Sequence, residues 1–260
     1  MKNNKILAKI ALVAMVVGTG FAVSACSTSS DRAQIYAGDI EISDPFEETN
    51  RAIFAFNNVV DDAVIHPMVK GYRAVVPSPA RSGVRNVLTN LGTPADFVNQ
   101  VLQGDIDGAG NALLRGVVNT LVGVGGLFDV AAAEGIEHES EDFGQTLAHW
   151  GVGHGPFLVA PLLGPASLRD YTGYFVDAFA DPLRIYMNNI DEMHIYYAKA
   201  GVNYLDLRDS LYDVLIDLEA SSIDYYATMR SAYYQNREAS VNDEKGAGAA
   251  EADIPDYDDF

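Results

Sequence analysis

Between Gly116 and Asp170 the chain reads GVVNTLVGVGGLFDVAAAEGIEHESEDFGQTLAHWGVGHGPFLVAPLLGPASLRD, and this stretch limits the fold more than any other. Glycine recurs at Gly123, Gly125, Gly126, Gly144, Gly151, Gly153, Gly155 and Gly164, and proline at Pro156, Pro161 and Pro165. No long helix or flat strand can run through such a segment, because glycine loses the most backbone freedom on ordering and proline lacks the N–H. Between its bends the stretch is apolar, with Leu121, Val122, Val124, Leu127, Phe128, Phe157, Leu158, Val159, Leu162 and Leu163. A loop of that kind is either a buried core hairpin or lies against something greasy. Both readings are open at this point.

The chain has 260 residues, 48% hydrophobic and 20% charged, enough for one sizeable core, and a single domain is expected. Its formal net charge of -19 argues against a sequence-independent grip on nucleic-acid phosphates, and no basic membrane-surface patch is apparent. A single cysteine, Cys26, excludes a disulfide framework or a cysteine metal site within one chain.

That cysteine ends a recognisable leader. Lys2, Lys5 and Lys9 make a positive start, Ile10 to Val17 an apolar run, and Val23-Ser24-Ala25 puts small residues just before Cys26. The order resembles a bacterial lipoprotein signal, with cleavage after residue 25 and lipid on Cys26. A plain secretory signal with a coincidental cysteine is the alternative. Removing residues 1–25 takes out three lysines and no acids, so the net charge goes from -19 to -22. Attraction to a membrane then has to come from lipid chains and apolar surface. Ser27 after the cysteine, rather than Asp, favours the outer membrane by resemblance to sorted lipoproteins.

Residues 26–43 read as a polar lipidated tether, 44–237 as the helical domain and 238–260 as an acidic disordered tail. Asp44-Pro45 with Glu47 is the expected start of a helix through Asn50, Arg51, Ile53, Phe54 and Phe56 to about Val60. Pro67 and Pro77 bracket an irregular or short helical connector. Ser78-Pro79 opens a helix carrying Val84, Val87, Leu88 and Leu91, closed at Gly92; Thr93-Pro94 opens the next, with Phe97, Val98, Val101 and Leu102 as its buried stripe and Gly104 as its end. After Asp105 a longer helix carries Ile106, Leu113, Leu114, Val117, Val118 and Leu121, with Arg115 and Asn119 interrupting its greasy side. Asp142 caps a short helix that Gly151 stops, and Ser167 starts another that ends at Asp181-Pro182. Tyr204, Leu207, Leu211, Val214, Leu215 and Leu218 predict a long helix or a kinked pair, and Ile223 to Arg237 a last helix. A hairpin around Pro156 to Pro165 is the one sheet expected.

The chain offers little for catalysis. It has no G-x-S-x-G elbow, and His138, His149 and His154 lack H-E-x-x-H spacing, although a zinc site made from them with Asp142 is conceivable. Gly123-Val124-Gly125-Gly126 is not followed by the lysine and hydroxyl of a phosphate loop. Asp61 with Asp62, or Asp170 with Asp177, could pair as acid and base, or could be a solvated face. Tyr196, Tyr197, Tyr225, Tyr226, Tyr233 and Tyr234 could form an interfacial belt or pack between helices.

In order along the chain stand DPFEETNRAIFAFN, HPMVKGYRAVVPSPARSGVRNVLTNLGTPADFVNQVLQG, LLRGVVNTLVGVGGLFDVAA and DFGQTLAHWGVGHGPFLVAPLLGPASLRD. With these segments the chain resembles the MlaA family, also called VacJ, of outer-membrane lipoproteins, from Asp44 to about Tyr186, and more loosely around DYYATMRSAYYQNRE. The resemblance implies a mainly α fold: one domain of many short helices in a ring-like or disc-like arrangement with a glycine-rich hairpin, embedded in the inner leaflet of the outer membrane beside a trimeric porin. It implies no enzyme activity, no metal and no cofactor. Phospholipids misplaced in the outer leaflet would pass through a central amphipathic channel to a soluble periplasmic carrier.

Carried onto this sequence, the gate is Gly123, Val124, Gly125, Gly126, Leu127 and Phe128, the adjoining wall runs from Phe143 to Asp170, and the helix from Asn50 to Asn58 packs close to the channel. Val124, Leu127, Phe128, Phe157, Leu158 and Leu162 are then candidates to face lipid tails, and Asn119, Thr120, Asp129, Arg169 and Asp170 to face headgroups. A porin-associated lipoprotein without transport, or a membrane-tethered lipid hydrolase, is the alternative function.

Overall fold

The computed structural model describes residues 35–37 and 40–243, so the leader, Cys26 and the end of the acidic tail lie outside the described residues. In chain order the elements are β1 (Ile35–Ala37), β2 (Ile40–Ile42), α1 (Glu47–Val60), a π-helical turn (Asp61–Ile65), α2 (His66–Val75), α3 (Ser78–Gln103), α4 (Ile106–Leu121) and α5 (Val130–Ala133). They continue with α6 (Phe143–His149), β3 (Phe157–Ala160), β4 (Gly164–Ser167), α7 (Leu168–Ala180), α8 (Pro182–Asn189), α9 (Met193–Ser210), α10 (Tyr212–Ser221) and α11 (Tyr225–Val241). The fold is mainly α, as expected, with two small antiparallel hairpins, β1–β2 and β3–β4. No described helix is long and apolar enough to cross a membrane.

Several start and stop signals work as read. Asp105, Asp142 and Ser167 cap α4, α6 and α7 by accepting from the backbone N–H of Gly108, Gln145 and Asp170. Gly104, at φ 87°, closes α3 in the left-handed region. The run through Tyr204 and Leu218 is the kinked pair α9 and α10.

Four expectations are corrected. Gly92 and Pro94 do not divide a pair of helices: α3 runs unbroken for 26 residues through both. Both halves of α3 pack along the antiparallel α4, which outweighs the one backbone hydrogen bond that Pro94 cannot donate. Asp44 does not cap α1, whose N-cap is Phe46 without a side-chain bond. Residues 26–43 are not all tether, since β1 and β2 pair there, Ile42 is core and the Ser43 carbonyl accepts from Phe157 N–H at 2.7 Å. The last helix, α11, runs on to Val241, so residues 238–241 are helix and not yet tail. Pro67, just inside α2 where its missing N–H is harmless, and Pro77 do flank a short helical connector as read.

The hydrophobic core is small and aromatic. Ile42, Phe54, Phe157, Val159, Tyr226 and Tyr234 form it, between α1, the hairpins and α11. Tyr226 and Tyr234 are thus packed inside rather than part of an interfacial belt. Along this core α1 is fastened to β3 by two asparagines, two helical turns apart. Asn50 donates to Phe157 O and accepts from Val159 N–H, both at 3.0 Å; Asn57 donates to Ala160 O at 3.0 Å and accepts from Leu162 N–H at 2.8 Å. These amides act as a neighbouring strand would, satisfying a sheet edge that would otherwise be buried unpaired. Asp44, freed from capping, accepts from Asn50, Tyr226 and Arg230 and so ties the start of α1 to α11.

A second polar hub fixes α6, α7 and α11. Arg237 donates to both oxygens of Asp142 at 2.6 Å and lies 3.0 Å from Asp170, which also holds Arg169 at 2.9 Å and accepts from Tyr233. The α6 and α7 backbones approach so closely that a Cβ on Gly173 would stand 2.2 Å from Gly144 N.

Two stability tests follow. Asn50→Ala should cost about 2–5 kcal/mol in urea unfolding, since it strands two buried backbone groups, and Asn57→Ala should cost less because its partners are more exposed. Equal or negligible losses would show that the amides do not hold β3. The pH dependence has two limbs. Burial pushes Asp170 up, but Arg237, Arg169 and Tyr233 outweigh it and hold the carboxyl at about 2. Its folded value lies below the unfolded value of about 3.9, so its stabilisation is present above that pH and is lost as pH falls toward 2. Burial instead pushes Asp96 and Glu141 to about 7, so ionising them removes stability as pH rises from about 4 to about 7. Asp96→Asn should flatten the second limb of the urea midpoint against pH and leave the acid limb; an unchanged profile would refute the assignment.

Candidate functional site

The glycine stretch leaves α4 as a compact turn and returns as α5. Gly125 N–H bonds Thr120 O at 3.0 Å, Gly126 N–H bonds Asn119 O at 2.8 Å, and Phe128 N–H bonds Gly123 O at 2.9 Å. Its base is polar and buried. Asp129 caps α5 and accepts from Asn119 at 2.9 Å and from Arg115 at 2.6 Å, while the Asn119 side-chain oxygen accepts from Ala131 N–H at 3.0 Å. Burial would raise Asp129, but these donors outweigh it and keep its carboxyl below the usual range.

The tip is apolar and exposed. Leu121, Val122, Val124 and Phe128 all stand outside the protein. Val124 holds φ 56°, a left-handed conformation that a β-branched residue adopts only when its surroundings impose it. The turn is seated on α3: Asn90 donates to Thr120 Oγ1 at 2.9 Å, Asn86 donates to Leu127 O at 3.2 Å, and a Cβ on Gly126 would stand 2.6 Å from Asn90 Cβ.

The same inversion of polar and apolar extends along α3 and α4. Their inward faces carry Asp96, Asn99, Gln100, Arg115 and Asn119, all buried. Outward stand Leu91, Val98, Val101, Leu102, Ile106, Leu113, Leu114, Val117 and Leu121. Of the stripe expected to be buried on the second half of α3, Val98, Val101 and Leu102 are therefore exposed and Phe97 is half-buried. Periodicity identifies an apolar face without specifying what covers it.

A cleft of about 230 Å³ opens elsewhere, between α1, the π-helical turn, the β3–β4 hairpin and α9 to α11. Phe54, Leu162, Leu163, Leu215, Ile216 and Met229 make its apolar part; Asn57, Asp61, Asp62, Arg208 and Glu219 make its polar part. Leu162, at the hairpin tip with φ 64°, is 54% exposed and so available at the mouth.

Against this geometry the expected site divides. Leu162 lines the cleft, and the helix from Asn50 to Asn58 runs beside it through Phe54, Asn57 and Asn58. Val124, Leu127 and Phe128 are exposed, whereas Leu158 is half-buried. Phe157 does not face a tail path, because it is core at 1% exposure. Arg169 and Asp170 do not face headgroups, because they are consumed in the α6–α7–α11 hub, and Asn119 and Asp129 are consumed at the base of the turn. Thr120 bonds Asn90. None of Gly123 to Phe128 lines the cleft.

The sequence reading missed Arg208, Leu215, Ile216 and Glu219. The one available signal was a lone arginine within the apolar repeat from Tyr204 to Leu218.

The candidate acids also have structural duties. Asp61 pairs with Arg208, and Asp177 accepts from Phe143 N–H and Asn99. His154 lies against Tyr234 and Glu238, His138 lies near Arg115, and desolvation lowers the pKa of both.

Comparison with known proteins agrees with this architecture. The sequence profile described as MlaA lipoprotein matches residues 42–240. A protein of Rickettsia typhi is 37% identical over 206 residues, covering 78% of this chain and 80% of its own. The Escherichia coli intermembrane phospholipid transport system lipoprotein MlaA is 33% identical over 261 residues, covering 96% of this chain and 99% of its own. A structure solved to explain the maintenance of bacterial outer-membrane lipid asymmetry superimposes with a TM-score of 0.68 at 36% identity, over 77% of this chain and all of that one. With the profile spanning most of its length and near-complete relatives above 30% identity, the chain belongs to the MlaA lipoprotein family.

Proposed function

We propose that this protein removes phospholipids mislocalised in the outer leaflet of a Gram-negative outer membrane and passes them along an amphipathic path to a soluble periplasmic lipid carrier. It lies on the periplasmic side, lipid-anchored through Cys26, beside a trimeric porin, and itself does no chemistry on the lipid. The E. coli relative is named for intermembrane phospholipid transport, which supports this reading.

The observation that carries it is the inverted burial of α3 and α4, with one carboxyl group, three amides and an arginine inside and leucines and valines outside. In water each such leucine or valine forgoes a sizeable part of the about 1.5–3 kcal/mol that full burial would give. Acyl chains supply that burial without a spanning helix, as for a protein seated in one leaflet. Moving a lipid through water exposes its tails at a cost of about 0.8 kcal/mol per CH2, so the route has to cover tails while leaving headgroups wet. The cleft offers both kinds of surface, and the exposed tip of the glycine turn is the gate in this reading. Its braced base means that it would swing as a unit.

The first test labels surface phospholipid in cells lacking the protein, with and without re-expression. Deletion should raise outer-leaflet phospholipid, the intact protein should reverse the rise, and Leu162→Asp, which puts a charge at the cleft mouth, should fail to reverse it despite normal abundance. Full rescue by the Leu162→Asp protein would leave a porin-associated structural role as the better reading. The gate has its own test. Gly126→Val meets Asn90 in the seat of the turn, and should raise surface phospholipid by freeing the turn from α3. A correctly localised variant with wild-type surface lipid would remove the gate role.

A further inference from the structure

The exposed apolar side chains divide by kind as well as by place. On α3 and α4 the large ones that stand outward are leucines, valines and Ile106, with no aromatic ring among them. On α7 and α8 they include Tyr174, Phe175, Phe179 and Tyr186, with Phe179 60% and Tyr186 58% exposed. α8 packs against both α7 and α3, so this aromatic corner borders the aliphatic face. Aliphatic side chains suit the acyl interior of a bilayer, whereas aromatic rings collect at the level of its glycerol and headgroups.

The corner is braced. Asp181 ends α7, caps α8 by accepting from Leu183 N–H at 2.8 Å, and pairs with Lys199 of α9 at 3.4 Å. Tyr174 and Phe175 meet edge to face, with ring centroids 5.7 Å apart.

Arg184, on α8, differs from the other arginines. Each of the others among the described residues has a carboxylate at ion-pair distance. Arg184 pairs with no carboxylate among the described residues; its guanidinium lies over the exposed Phe179 ring, 4.5 Å from the centroid. Stacked in this way a guanidinium covers its flat face and keeps its N–H edge free, the edge that grips a phosphate through two parallel hydrogen bonds. Asp181, the nearest acid in sequence, is already held by Lys199 and Leu183. In a chain of formal net charge -19, this leaves one half-buried cation for an anion from outside.

We propose that the α7–α8 corner is where this protein meets the headgroup level of the leaflet: Phe175, Phe179 and Tyr186 enter beside the glycerol groups, and Arg184 binds a phospholipid phosphate. Charge and ring chemistry agree there, since phosphate is the anion that lies at the depth where aromatic rings collect. The inference rests on the leaflet-seated reading and adds to it the tilt at which the protein lies, with α3 and α4 among the tails.

The test puts the photo-crosslinker p-benzoylphenylalanine in place of Tyr186, and separately in place of Val101 on α3, in full-length protein made in cells whose phospholipids carry radioactive phosphate. After illumination the protein is purified and ester-linked acyl chains are removed with mild alkali. Phosphate captured through glycerol or headgroup stays on the protein, whereas phosphate captured through an acyl chain is released. Label should be retained at position 186 and lost at position 101. R184Q should lower the retained label at 186 by about twofold or more, the scale of a partly exposed ion pair, and leave capture at 101 unchanged. Loss of the 186 label in alkali would put the corner among the tails, and a crosslink from 186 to a porin or to the chain's own acidic tail would make it a protein contact; either overturns the inference. So does an R184Q protein that retains as much label as its parent. If 101 captures lipid and 186 does not, the inference falls and the leaflet reading stands; if neither captures lipid, the leaflet reading falls as well.

Discussion

The carboxamide of Asn50 joins three distant parts of the chain. It donates to Asp44, which holds Tyr226 and Arg230 of α11, and it occupies the edge of β3 as a strand would. The core around it is too small to fix these elements by apolar contact alone. Hydrogen bonds with fixed directions therefore set how α1 lies on the hairpin, and with it the position of Asn57, Phe54 and the cleft mouth at Leu162. A methyl-for-amide change of similar size would keep the packing and lose the register.

The same dependence on polar contacts explains the interior elsewhere. Among the described residues, more of the buried side chains are polar or charged than hydrophobic. Asp209 accepts from Arg81 at 2.6 and 2.7 Å, Arg115 from α4 reaches Asp129, and Arg237 spans Asp142 and Asp170. Buried pairs of this kind add little net stability over apolar packing, but a missing partner is expensive, so they act chiefly by penalising wrong arrangements. A protein that spends its leucines and valines on an outward face has fewer left for a core. Ion pairs and amides then have to define the inside.

That division decides how much could be read from the sequence. Local chemistry was legible: Asp105, Asp142 and Ser167 cap as their spacing requires, Gly104 terminates α3, and the hairpin lies between Pro156 and Ser167. Facing was not. Val98, Val101 and Leu102 repeat as a core stripe would, but period alone does not tell lipid from protein interior. Long-range polar partners were also invisible. Nothing local shows that Asp44 prefers Arg230 to the start of α1, or that Arg208 meets Asp61 across 147 positions of chain. The Pro94 boundary failed for a related reason, since packing along α4 outweighs a local breaker.

The glycine turn breaks a local rule. A left-handed φ at position 124 would ordinarily select glycine, and three glycines surround it, yet the chain puts valine there with its side chain exposed. In water that choice gains nothing, because it combines a strained backbone of about 1–3 kcal/mol with an unburied side chain. Beside acyl chains the same residue recovers its burial, so the strain and the exposure have a common explanation in a lipid environment. The base of the turn supplies what such a tip requires. Asp129 and Asn119 satisfy the backbone of α5 from within, and Arg115 neutralises the carboxylate, so the polar groups of the base are matched inside the protein. Polar foot and apolar tip are thus joined in one hydrogen-bonded unit whose exposed part is its apolar side chains.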